Sequence, residues 1–202
     1  MQCGDIKLEV RTTDKGYARM KWDNIPNHLI NVGTKLELCR WKAVKSLDVV
    51  ESYGSLDTKH NLNRGLQLRL VTRDGEVIRE GRMLDDAYWN LPTKIPGFDA
   101  SVQLYTEEGW ACARLFINKC FTDYKKSFFN SWVGLYPSEG CVSNTLQEGQ
   151  WAWVEDFYLR SFGSDHYVYE FRSNIALAPG AQARFFLNKE YDLCAATALW
   201  EE

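Results

Sequence analysis

The chain has 202 residues, 45% apolar and 25% charged, the balance of a folded globular protein long enough for one large or two small cores. No apolar run approaches the ~18–20 residues of a membrane span. A net charge of −3 is too small to argue for a nucleic-acid or anionic-membrane partner.

That charge is unevenly placed. Residues 1–98 hold 16 Lys and Arg against 13 Asp and Glu, a net of +3, whereas residues 99–202 hold 8 against 14, a net of −6. The asymmetry would suit steering of a partner or head-to-tail self-contact, or simply two differently solvated surfaces. Six cysteines (Cys3, Cys39, Cys112, Cys120, Cys141, Cys194) have irregular spacings and form no Cys-x-x-Cys pair. There is no Asn-x-Ser/Thr sequon, and Met1–Lys7 lacks the basic-then-apolar order of a signal peptide. A cytoplasmic protein with reduced thiols is the expectation, a structural disulfide the alternative.

In chain order, Ile6, Leu8 and Val10 alternate with Lys7 and Glu9, Thr13-Asp14-Lys15-Gly16 turns, and Ala18, Met20 and Trp22 alternate in return. Period-2 patterning of this kind marks a half-buried hairpin. A second copy follows about 94 residues later. Val102 falls on Leu8, Thr106 on Thr12, Gly109 on Gly16 and Trp110 on Tyr17. Each hairpin leads through a polar loop towards a Trp-bearing segment, Leu36-Glu37-Leu38-Cys39-Arg40-Trp41 in the first copy and Ser131-Trp132-Val133-Gly134-Leu135-Tyr136 in the second. The spacing exceeds that of a solenoid repeat and suits duplication of a whole small domain.

Between the copies, Leu66, Leu68 and Leu70 form one face of a strand, and Arg73-Asp74-Gly75 turns into Glu76–Arg79. Leu91-Pro92 and Ile95-Pro96-Gly97 punctuate the chain, so the domain boundary is expected near 97, dividing 1–97 from 98–202. Further strands are expected at Trp151–Val154, Tyr167–Phe171, Ala183–Leu187 and Leu193–Ala196. The one helical candidate is a single turn at Asp85–Trp89. Strands about every 10 residues without a 3.6-residue apolar stripe predict an all-β fold of two tandem antiparallel β-sandwiches related by internal duplication.

The second half resembles the SKICH domain, an immunoglobulin-like sandwich of certain autophagy adaptors and inositol-phosphate phosphatases. The likeness is carried by Trp132-Val133-Gly134-Leu135-Tyr136, by Trp151-Ala152-Trp153-Val154, and by the run from Arg184 to Cys194 with its paired aromatics and acidic turn. It covers about residues 99–200 and, more faintly, 5–97. Leu187-Asn188 stands where the family has Leu-Pro. The resemblance implies protein–protein recruitment without catalysis.

Catalytic constellations are scarce. His28 and His60 lie in polar, turn-like contexts, and His166 opens a strand; none has a second His at ligand spacing, so no metal site is expected. Cys120 beside Lys119 is the nearest approach to an activated thiol. Glu155 and Asp156 are adjacent on an expected strand and would point to opposite faces, so they would not flank one glycosidic bond. The expectation is a non-enzyme without cofactor.

The 151–158 stretch is the most informative. As a strand it would place Trp151, Trp153, Glu155 and Phe157 on one face, opposite Ala152, Val154, Asp156 and Tyr158. The Trp face would then be either the core or an outward binding platform. Trp151, Trp153, Phe157 and Tyr158 are the candidate partner-binding residues. The expected partner is a protein bound by strand addition or an aromatic patch. Glycan binding on outward Trp rings and a membrane-active, defence-type role are the alternatives. A free sheet edge would also permit a homodimer, and nucleic acid is not expected, because the aromatic half is the acidic one.

Overall fold

A computed structural model describes residues 5–84, 90–138, 140, 141, 143–163, 165–188 and 191–201. The helical turn expected at Asp85–Trp89 lies outside the described residues, as does Cys3. The protein is all-β, with four antiparallel sheets and two short helices among the described residues. It divides into two compact units, Met1–Asp85 and Asp86–Glu202.

In the first unit, β1 (Lys7–Thr12), β2 (Tyr17–Asp23) and β5 (Gly54–Asn61) form a sheet in the order β1-β2-β5. The second sheet runs β4-β3-β6-β7, from β3 (Lys35–Cys39), β4 (Ala43–Asp48), β6 (Gln67–Val71) and β7 (Val77–Glu80). Alternation decides the inner faces. Leu8, Val10, Met20 and Trp22 from one sheet, and Leu36, Leu38, Leu68 and Leu70 from the other, are all buried. A short helix, α1 (Asn27–Asn31), links β2 to β3.

The second unit repeats this order. One sheet runs β13-β14-β10-β9-β8 and the other β12-β11-β15-β16. The strands are β8 (Thr93–Lys94), β9 (Ala100–Glu107), β10 (Trp110–Asn118), β11 (Trp132–Tyr136), β12 (Trp151–Trp153), β13 (Tyr158–Phe162), β14 (His166–Ala176), β15 (Gln182–Phe186) and β16 (Leu193–Ala196). Leu104, Ala113, Leu115, Val133, Leu135 and Phe185 are buried between the sheets. Helix α2 (Tyr124–Ser127) occupies the connection that α1 occupies in the first unit. The β9–β10 turn is the two-residue Glu108-Gly109, with φ of 51° and 80°, the doubly left-handed geometry that matches strand twist.

The likeness extends to individual hydrogen bonds. Thr58 Oγ1 donates to the Ala18 carbonyl at 2.7 Å and accepts from the His60 N–H at 3.2 Å. Ser173 Oγ does the same with the Ala111 carbonyl at 2.7 Å and the Ile175 N–H at 3.1 Å. Each hydroxyl fills the bulge where strand register slips, between Tyr17 and Arg19 in one unit and between Trp110 and Cys112 in the other. Gln67 Nε2 reaches the Gly81 carbonyl and Gln182 Nε2 the Thr197 carbonyl, both at 2.8 Å, and the Nε of Arg69 or Arg184 donates to the Oε1 of that glutamine. Gly65 and Gly180 open these strands with the same φ of 86°.

These matches locate what differs. The offset is 93 residues from Tyr17 to Trp110, 97 from Thr34 to Ser131, 105 from Val49 to Val154 and 115 from Thr58 to Ser173. The 22 residues separating the first offset from the last all lie between β10 and β14. Thr34 and Ser131 are equivalent because each carbonyl accepts from a valine N–H, Val49 or Val154.

Three sequence expectations need correction. Residues 151–158 are not one strand: β12 ends at Trp153, and Val154–Asp156 is a turn of 3-10 helix, so the alternation assumed there breaks. Trp41 is not a copy of Trp132. It follows β3 and is 80% exposed, with the Arg40 guanidinium 4.3 Å above its ring. In strand register Trp132 answers to Lys35, and the buried Trp of the first unit is Trp22. The Ile95-Pro96-Gly97 turn, finally, joins β8 to β9 inside the second unit, with the Ile95 N–H on the Ala100 carbonyl at 2.9 Å.

Candidate functional site: an aromatic sheet face and a lateral cleft

Antiparallel partners share a face. Trp132 pairs with Trp153 and with Phe186, Gly134 with Trp151 and Arg184, and Tyr136 with Gln182. Because Val133, Leu135 and Phe185 point inward, all of these side chains stand on the outer face of the second sheet. Trp132 stacks on Phe186 with centroids 4.1 Å apart and planes 13° from parallel. Trp151 meets Trp132 edge-on at 6.0 Å and Trp153 at 5.2 Å, and Tyr191 meets Trp132 at 5.6 Å. The Arg184 guanidinium lies 4.1 Å over Tyr136 and donates through Nη1 to the Cys141 carbonyl at 2.7 Å. Cys141 and Leu146, from the β11–β12 connection, pack on the inner part of the cluster. A Cβ at Gly134 would lie 2.5 Å from Leu146 Cδ1, so a larger residue there would lift that cover. Trp132, Tyr136 and Phe186 are thereby buried, while Trp151 and Trp153 remain half-buried on a strand whose far edge has no partner strand among the described residues.

The first unit carries nothing comparable at the same positions. Lys35 stands for Trp132, Asp48 for Trp153, Ser46 for Trp151 and Val71 for Phe186, all in matched register. There Lys35, Ser46 and Asp48 are polar and reach solvent, Val71 is buried beside them, and the fold forms without a ring at any of the four. The rings are therefore not a requirement of the sandwich.

The four candidate residues do not form one surface. Trp151 and Trp153 share the aromatic face. Phe157 is buried, 5.6 Å from the Phe171 ring, and Tyr158 is exposed at the start of β13 in the other sheet. Trp132, Phe186 and Tyr191 were missed as members of the site. The signal for them was the strand pairing itself, which composition does not show.

A second feature is a cleft of about 410 Å³ at the side of this unit. Ile117 and Phe128 floor it, Tyr124, Tyr169 and Val154 wall it, and Lys125, Phe129 and Glu155 stand at its mouth. The Tyr124 and Tyr169 hydroxyls are 2.7 Å apart, and burial together with that bond pushes the Tyr124 pKa up to about 12. Every described cysteine is a free thiol. Burial pushes Cys112 up to about 12 and raises Cys39, the opposite of an activated nucleophile. His28 is exposed in α1, His60 lies in β5, and His166 opens β14. No group of three or more His, Cys, Asp or Glu among the described residues is placed to hold a metal ion. No helix among them is long and apolar enough to cross a membrane.

Compared with known proteins, the chain matches no family model. No curated protein matches it either.

Proposed function

We propose that this chain is a non-enzymatic adaptor of two duplicated sandwiches, the second SKICH-like, which holds a protein partner on the aromatic face around Trp151 and Trp153. The observation that carries this reading is the contrast between matched faces: Lys35, Ser46 and Asp48 in one unit, Trp132, Trp151 and Trp153 in the other. Half-exposed indoles that the fold does not need are costly in water and are the residue type that anchors protein interfaces. The far edge of β12, without a partner strand among the described residues, adds backbone donors and acceptors beside them for strand addition, by a partner or by a second copy. Edge-to-face packing turns the Trp151 and Trp153 rings towards each other, which favours a protein groove over the flat ring faces that stack on sugars. The free thiols suit a reducing, cytoplasmic setting.

The test is copurification from native lysate with the wild-type chain and with Trp151→Ala and Trp153→Ala. A stoichiometric protein partner retained by the wild type and lost with either variant supports the reading. Equal retention by all three overturns it, as does a saturating tryptophan fluorescence shift with a glycan or leakage of liposomes at micromolar protein.

A further inference from the structure

The lateral cleft is independent of the aromatic face and differs between the units in the same informative way. In register, the pair Trp22–Gly54 of the first unit becomes Leu115–Tyr169 in the second. The Trp22 indole lies over Gly54 so closely that a Cβ there would stand 2.5 Å from Cζ2, whereas Tyr169 is engaged by Tyr124 at the edge of an open space. At about 410 Å³ that space falls within the ~300–1,000 Å³ of small-molecule sites.

Its lining defines the ligand. Ile117 and Phe128 are buried and offer only apolar surface. The two phenols share one hydrogen bond, which leaves one hydroxyl proton to donate. At the mouth, Lys125 from α2 and Glu155 from the turn after β12 place one charge of each sign on separate segments, and neither has an ion-pair partner among the described residues. An apolar floor beneath a mouth bearing both charges is complementary to a small zwitterion with an apolar body. We propose that the cleft binds a free α-amino acid with a large apolar side chain, its carboxylate towards Lys125, its ammonium towards Glu155 and its side chain on Phe128 and Ile117.

Isothermal titration of the full chain tests this with L-phenylalanine, phenethylamine, 3-phenylpropionate and glycine. L-Phenylalanine should bind at one site, and each of the other three at least tenfold more weakly. Lys125→Gln should weaken L-phenylalanine about tenfold and leave phenethylamine unchanged; Glu155→Gln should weaken it similarly and leave 3-phenylpropionate unchanged. Both side chains are exposed, so the variants keep the fold. No heat with L-phenylalanine, equal binding of the one-charge analogues, or indifference to both substitutions overturns the proposal. Trp153→Ala should leave the titration unchanged, which separates this site from the partner-binding face.

Discussion

Replacing Ser173 with Ala, or Thr58 with the isosteric Val, removes one hydroxyl that serves two backbone groups. In the second unit the Ala111 carbonyl loses its donor at 2.7 Å and the Ile175 N–H its acceptor at 3.1 Å; in the first the Ala18 carbonyl and His60 N–H lose theirs. Thr58 and Ser173 are both about 5% exposed, so water reaches these groups poorly. Each buried backbone group left without a partner costs about 1–3 kcal/mol. Some relaxation of the bulge is expected, giving about 2–4 kcal/mol per substitution. That is a large share of the ~5–15 kcal/mol stability of a typical domain. Native-state hydrogen exchange on the full chain in rising urea reads the loss unit by unit. Ser173→Ala should lower protection across the second unit and expose the Ile175 amide first, and Thr58→Val should act likewise on the first unit and His60. Thr58→Ser, which keeps the oxygen, should stay within about 1 kcal/mol of wild type. A loss below about 0.5 kcal/mol for both hydroxyl-free variants, with both amides still protected, would refute the claim that these hydroxyls hold the bulges together.

Gly54→Ala places a methyl 2.5 Å from Trp22 Cζ2 and should cost about 1–3 kcal/mol through overpacking, measured as a lower urea midpoint of the first unit with altered tryptophan emission. Cys112, held by burial near pKa 12, should resist a thiol reagent at pH 8 until the unit opens, while exposed Cys120 reacts at once; mass spectrometry of the labelled peptides separates them. Because the folded pKa of Cys112 is raised above the ~8.5 of an unfolded thiol, its contribution to stability is full below about pH 8.5 and is lost as pH rises towards 12. Denaturation midpoints across that range should fall less steeply in Cys112→Ala. Gly134→Val should displace Leu146 from the aromatic cluster, raising the solvent exposure of Trp132 in a quenching assay while leaving the exchange protection of β9 and β10 within twofold of wild type.

Much of the frame was legible because alternation and turn chemistry are local. Leu8, Val10, Ala18 and Met20 face the core as their spacing required, and Gly16, Gly75 and Gly180 turn the chain with φ of 73°, 90° and 86°. The hairpin register near 94 residues was legible too, since only 93 residues separate Tyr17 from Trp110. Holding that single offset hid the rest. Gly65-Leu66-Gln67-Leu68-Arg69 and Gly180-Ala181-Gln182-Ala183-Arg184 are the clearest repeat in the chain, but they lie 115 residues apart. The same slip set Trp41 against Trp132, two indoles that strand pairing keeps six positions out of step. At 151–158 alternation looked continuous because nothing in Trp153-Val154-Glu155-Asp156 forbids a strand. β12 ends where the Phe157 N–H turns back onto the Val154 carbonyl at 3.2 Å and closes the 3-10 turn, which the alternation of side chains does not encode.

The distribution of the differences is itself an argument about function. A sandwich is set by inward residues and by hydrogen bonds such as those of Thr58 and Ser173, and both units meet that demand with the same parts. Connections tolerate insertion at little thermodynamic cost, since doubling a loop adds only about 0.6 kcal/mol of closure entropy. The second unit is 22 residues longer than the first between the matched positions, and the whole difference lies between β10 and β14. That interval contains Leu146 over the aromatic face, α2 with Tyr124 and Lys125, and the 3-10 turn with Glu155. The outward positions changed with them, from Lys35 and Asp48 to Trp132 and Trp153. Were the aromatic residues mere stabilisers, the shortest route would be a larger inner core. Instead the indoles lie where the first unit carries Lys35, Ser46 and Asp48, partly covered by the β11–β12 connection and, among the described residues, open along the β12 edge.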